Sequence, residues 1–204
     1  NKFLDTDGGK FQSSNSEIID KFNSITGIYE RRYAPDEINC SDLAAVAAGL
    51  AINDSKLDQE TLDYIIVAHN TGDISCSSGQ VDTLPSVASK VKAKLKIKNP
   101  NCVAYDIICG CPGWVEGIIQ AKSFIKSGMA EKCLVIGCDT LSRILDENDR
   151  DSMIYADGSG AIILESDNSY NGGILSHKSA TFTYDGENDL SLIHISEPTR
   201  RLVI

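Results

Sequence analysis

No run of apolar residues approaches the roughly 20 needed to span a bilayer, so no transmembrane helix is expected. Basic residues are scarce as well: 19 Lys and Arg stand against 29 Asp and Glu, for a formal net charge of −10. The one basic cluster is the set of lysines between Lys90 and Lys98. That is too small a footprint for a phosphate backbone or an anionic bilayer, so neither nucleic acid nor membrane is expected as a partner. Also missing is the paired C-x2-C spacing of a zinc site, although there are seven cysteines: Cys40, Cys76, Cys102, Cys109, Cys111, Cys133 and Cys138. An odd set scattered through apolar stretches fits reduced thiols in a cytoplasmic protein, with no metal. Repeats, linkers and low-complexity tracts are absent. What remains, 42% hydrophobic and 24% charged residues over 204 positions, suits a folded protein with one substantial core.

Residues 190–204 are set apart. Leu190 to Arg200 (LSLIHISEPTR) reads as the in-frame translation of a sequencing-library adaptor. The expectation is a native stretch over 1–189 and a non-native tail over 190–204, so His194 is not counted as a candidate base.

Within the native stretch, apolar Ile18, Ile19, Phe22 and Ile25 recur at helical spacing over Glu17 to Ile25. A second helix is expected from Ser41 or Asp42 to Asp54, with Leu43, Val46, Ala47, Leu50 and Ala51 on its apolar stripe. Tyr64 to His69 is a β-branched run of the kind that is buried on both faces of a sheet. From Pro85 to Ile97 two periods compete, and the helical one is preferred because Val87, Ala88, Val91 and Leu95 follow a proline suited to a first turn. A strand over Cys102 to Ile108, a helix over Pro112 to Lys126 and a strand over Lys132 to Gly137 come next. Trp114, Val115, Ile118, Ile119, Ala121 and Ile125 are the residues expected to be buried on that helix. Strands over Ala161 to Glu165 and Gly173 to His177 complete the reading, with Asp157-Gly158-Ser159-Gly160 as a preceding turn. Alternation of this kind predicts an α/β layered domain with a largely parallel sheet.

Chemistry concentrates at Cys111. A buried strand passes through Cys109 and Gly110 into Cys111, Pro112 and Gly113, and then directly into an apolar helix. Proline suits a first helical turn, where its missing N–H has no partner to lose, so Cys111 falls at or beside the N-cap. Unpaired backbone donors and the positive end of the helix dipole favour a thiolate there. Spacing alone leaves open a cysteine that is merely a small buried residue. Cys109, on the strand leading to the turn, is expected to lie in a buried register and to be non-functional. His69 and His177 are read as structural or surface histidines.

The segment Ala104 to Trp114 (A-Y-D-I-x-x-x-C-x-G-W) resembles the nucleophile segment of the β-ketoacyl-acyl-carrier-protein synthase III family. Thr26-Gly27-Ile28 with Glu30-Arg31-Arg32, Ile125 to Gly128, Leu134 to Gly137, Asp149-Arg150 and Asp157 to Ala161 follow in family order. The resemblance implies a thiolase-like αβαβα layered fold of which this chain is the first half only, without its opening strand, and a homodimer. It implies an acyltransferase that condenses an acyl thioester with malonyl-acyl-carrier-protein, with Cys111 as nucleophile. No cofactor is implied beyond coenzyme A or acyl-carrier-protein thioesters as substrates. Arg150 corresponds to the arginine that packs on the adenine of coenzyme A, and Leu84 to the residue that reaches across the dimer to close the acyl pocket. The family's histidine and asparagine belong to the second half. Ile25 and Lys21 stand where the family has an arginine and an aromatic that contact the coenzyme, so acetyl-CoA is expected to be a poor primer. Hydroxymethylglutaryl-CoA synthase, thiolase and a non-catalytic partner subunit are the alternatives.

Overall fold

The structure, a computed structural model, describes residues 3–4, 8–167, 169 and 173–181. The chain divides into two units, residues 1–171 and 172–204. The tail expected over 190–204, with His194, lies outside the described residues.

The first unit is built on a four-stranded sheet ordered β4-β1-β5-β6. Strands β1 (Tyr64–His69), β4 (Val103–Ile108) and β5 (Lys132–Thr140) are parallel, and β6 (Asp157–Glu165) runs antiparallel to β5. The β-branched run Ile65-Ile66-Val67 lies in an interior strand with every side chain buried, because helices cover both faces of the sheet. Helices α2 (Cys40–Ser55) and α3 (Val87–Lys94) close one face, packing Ala44, Ala48, Val87 and Val91 on Ile65, Val67, Leu134 and Ile136. Helix α4 (Gly113–Lys126) closes the other, over Ile66, Cys133 and Val135. The described residues therefore build three layers, αβα. Helix α1 (Asn15–Thr26) precedes them; Ser14 and Glu17 form a reciprocal capping box at its start and Gly27, at φ 69°, ends it.

Both sheet-facing helix surfaces follow the expected apolar stripes in part: Leu43 and Ala51 on α2, and Trp114, Ile118, Ala121 and Ile125 on α4, lie in or against the two apolar clusters as expected. On α2 the buried apolar positions are Cys40, Ala44 and Ala48, beside the buried Ser41, whereas Val46 and Leu50 are exposed. On α4 they are Gly113, Gly117 and Ala121, whereas Val115 is half exposed. Spacing of i, i+4, i+8 is helical in each case, but the smallest side chains face the sheet because they let the helix axis come close. A Cβ at Gly117 would stand 2.9 Å from Val135 Cγ1, and one at Gly113 3.2 Å from Ala68 Cβ.

Three further expectations change. Asp157 to Gly160 is not a turn: it opens β6, paired with Gly137 to Thr140. Gly173 to His177 carries no ladder, and its apolar Ile174 and Leu175 are exposed; two apolar residues flanked by glycine and polar side chains bury too little to hold a strand. The long loop after β1 folds into a hairpin of β2 (Asp73–Ile74) and β3 (Val81–Asp82), too short for alternation to have signalled it.

Candidate functional site

At the carboxyl ends of the parallel strands, the region where open α/β sheets hold their ligands, lies a cleft of about 340 Å³. Its walls come from the end of β1 (Ala68, His69), the turn into α4 (Gly110, Cys111, Trp114), the end of β5 (Gly137 to Asp139) and the start of β6 (Asp157 to Gly160). Cys111 is exposed there, one residue before the N-cap Pro112 of α4. Gly110, at φ 67°, takes the left-handed conformation that bends the chain from β4 into α4, and its carbonyl accepts from the Gly113 N–H at 3.0 Å. Trp114 packs against Gly137, where a Cβ would meet its Cδ1 at 3.1 Å. Its buried Nε1 has no partner among the described residues.

Cys109 is also exposed: it follows β4, the outer strand of the described sheet, whose last residue Ile108 is itself exposed, so the buried strand and register expected there are not found. It does not line the cleft. Cys40, Cys102, Cys133 and Cys138 are buried. Burial pushes the Cys102 thiol up and carries that of Cys133 to about 12, so neither is a ready nucleophile.

Two carboxylates brace the floor of this end of the sheet, and they titrate in opposite directions. Asp106 is pushed upward by burial. Bonds from His69 Nε2 at 3.0 Å and from the Ala88 and Val87 N–H groups at 2.8 and 2.7 Å outweigh that, leaving it below its ordinary value. Asp139 accepts from the Asn70 N–H at 2.8 Å and Nδ2 at 2.7 Å, yet burial prevails and holds it above the ordinary value. His69 is thus structural, as expected: Nδ1 accepts from the Gly72 N–H at 2.9 Å, which leaves Nε2 to carry the proton donated to Asp106. The bonding of this triad of His69, Asp106 and the α3 N-terminus had no local signal, since its members are 18 to 37 residues apart.

Asp157 ties the rim together. Its carboxylate accepts from the Ala34 N–H at 2.8 Å and from Ser142 N–H and Oγ at 2.9 and 2.6 Å, and its own N–H donates to the Arg32 carbonyl at 3.0 Å. The family-like segment Thr26 to Arg32 is in this way fastened to β6. Arg150 does not line the cleft; it opens a short 3-10 turn and its guanidinium lies 5.0 Å from the centre of the Phe11 ring. Leu84 is 82% exposed and also lies outside the cleft lining. Lys21 and Ile25, one turn apart on α1, both face solvent. His177 is exposed within the second unit.

A mixed sheet with helices on both faces, and an exposed cysteine at a strand-to-helix turn, fit an α/β protein of the thiolase-like class. Comparison with known proteins gives the family. Residues 105–182 match the family profile of 3-oxoacyl-[acyl-carrier-protein (ACP)] synthase III. The beta-ketoacyl-[acyl-carrier-protein] synthase III of Ehrlichia ruminantium (strain Gardel) is 40% identical over 74% of this chain and 44% of its own length. That of Neisseria gonorrhoeae (strain NCCP11945) is 43% identical over 68% and 41%. The crystal structure of 3-oxoacyl-[acyl-carrier-protein] synthase III from Aquifex aeolicus VF5 superposes with a TM-score of 0.64 at 33% identity, covering 77% of this chain and 50% of that one. Over its matched residues the chain is 3-oxoacyl-[acyl-carrier-protein] synthase III-like, and it spans less than half the length of the two curated relatives it is compared with. These names favour synthase III over hydroxymethylglutaryl-CoA synthase and thiolase.

Proposed function

We propose that Cys111 is the acyl-accepting nucleophile of a β-ketoacyl-acyl-carrier-protein synthase III. The carrying observation is that it is the one exposed thiol lining the cleft, at the start of a fourteen-residue helix. The N–H groups at that helix terminus favour negative charge on sulfur. The thiolate attacks the carbonyl of an acyl thioester, the thiol of the carrier leaves, and a thioester on Cys111 remains. Decarboxylation of malonyl-acyl-carrier-protein then yields a carbanion that attacks this acyl group, releases Cys111 and forms a β-ketoacyl product. The Cys111 N–H contributes one donor to the developing oxyanion. Partners under this reading are an acyl carrier protein, an acyl-CoA or other acyl thioester, and a second copy of the protein, in the cytoplasm.

Arg150 and Leu84 are the proposed substrate-side residues, toward the adenine of coenzyme A and the acyl pocket of a partner subunit. With Lys21 and Ile25 exposed where coenzyme contacts are expected, an acyl-carrier-protein thioester or a longer acyl-CoA is the preferred donor over acetyl-CoA. Residues 190–204 are proposed to be non-native, which reading the genomic locus through Leu190 tests.

Mass spectrometry of protein trapped after mixing with acyl thioesters tests the nucleophile. The acyl group is expected on Cys111 and absent from Cys111→Ala. A label on Cys109, or one undiminished in Cys111→Ala, overturns the assignment. Rapid acylation by acetyl-CoA relative to longer donors overturns the donor preference.

A further inference from the structure

Three thiols are exposed among the described residues, and two of them, Cys109 and Cys111, flank a single glycine. That glycine, Gly110, has φ 67°. A residue in this left-handed region brings its neighbours' Cα atoms to about 5.4 Å, the i to i+2 separation of a helical turn. The distance falls inside the roughly 4.4–6.8 Å window that a disulfide requires. Cys109 is exposed and belongs to neither apolar cluster, and its Cβ lies 3.5 Å from where a Gly113 Cβ would be. The third exposed thiol, Cys76, sits on the β2–β3 hairpin beside Arg143 Nη1 at 3.4 Å. The buried pair Cys40 and Cys138 is already satisfied, each sulfur donating to the other residue's carbonyl at 3.4 and 3.0 Å.

We propose that Cys109 is a resolving thiol for Cys111, making the turn a reversible oxidation site for peroxides. Hydrogen peroxide oxidises the Cys111 thiol to a sulfenic acid, and its other oxygen leaves with the thiol proton as water. The Cys109 sulfur then attacks the sulfenic sulfur; the S–S bond forms, the S–O bond breaks, and the hydroxyl leaves with the Cys109 proton as a second water. Two electrons pass from the two thiols to one peroxide. The disulfide masks the cleft thiol, and a dithiol reductant restores it. An isolated cysteine at this place has no such exit and proceeds to sulfinic and sulfonic acids, which are not readily reversed. The inference rests on Cys111 being the reactive thiol, but its readout needs no turnover and no acyl substrate.

The test treats the reduced chain with hydrogen peroxide, blocks remaining thiols with N-ethylmaleimide and digests with chymotrypsin. Cleavage after Tyr105 and Trp114 releases residues 106–114, which contain Cys109 and Cys111 and leave out Cys102. The wild-type peptide is expected to lose about 2 Da and to recover on adding dithiothreitol, whereas Cys109→Ser gains about 32 Da on the order of tenfold faster than wild type. Equal rates of sulfinic acid formation in wild type and Cys109→Ser overturn the proposal, as does a disulfide joining Cys76 to either residue. Disulfide formation without acylation in the separate trapping assay would leave this site standing and remove the condensing-enzyme reading. Acylation without the disulfide would do the reverse.

Discussion

The two faces of the sheet are closed by different means. Helix α4 is placed by missing side chains: Gly113, Gly117 and Ala121 let it settle against Ala68, Ile66 and Val135, and the depth of that seat fixes where Cys111 begins the helix. On the opposite face polar brackets hold the helices. Asp106 caps the N-terminus of α3 with two N–H bonds while bound to His69, and Asp73 accepts from Ser41 N–H and Oγ at the start of α2 and from Lys90 Nζ. The face that positions the reactive thiol is thus set by steric contact, and the other by charge as well as by the close seat of Ala44 and Ala48. The first should respond to a single added carbon and ignore pH. The second should respond to pH too.

The largest effect is expected from Gly117→Val. A Cβ already stands 2.9 Å from Val135 Cγ1, and two further methyls find no room, so a loss of about 3 kcal/mol is expected in denaturant unfolding. A variant as stable as the parent would show that α4 is not seated by contact. Next is Asp106→Asn, which keeps the shape but removes the charge from two backbone donors and His69, at a cost of about 2 kcal/mol.

That bracket has a pH signature. The folded Asp106 carboxyl lies below its ordinary value, so its contribution is complete above the unfolded value, about 3.9, and is lost as pH falls through the folded one. Thermal midpoints followed through the acid range should fall more steeply for the parent than for Asp106→Asn, and parallel curves would remove Asp106 from the comparison. A smaller loss, about 1 kcal/mol, is expected for Gly113→Ala, whose Cβ meets Ala68 at 3.2 Å, within reach of a small shift. Acylation of Cys111 should slow with it, which separates an altered thiol position from lost stability. Least of all, Leu50→Gln on α2 should change stability by less than about 0.5 kcal/mol, because that side chain is 66% exposed; a larger loss would place Leu50 in a contact the structure does not show.

The sequence by itself determined the four helices and the main strands β1, β4 and β5 in their order, because the signals involved are local, but not the β2–β3 hairpin or the start of β6. A β-branched run has a low-energy use inside a sheet, apolar residues at helical spacing mark a helix, and a proline after small residues marks where strand passes into helix; that Cys111 is exposed there was decided by the tertiary structure. Only the tertiary structure decided which side of each helix faces the sheet. Apolar periodicity pointed to Val46, Leu50 and Val115, but close approach rewards the glycines and alanines one step around the helix, and that advantage exists only once the sheet is there. The same holds for Asp157 to Gly160, whose glycines read as a turn until β5 supplied a ladder, and for Cys109, whose exposure goes with the place of β4 at the outer end of the described sheet. His69, Asp106 and the start of α3 meet because β1 and β4 are parallel neighbours, a relation between distant residues that no local pattern encodes.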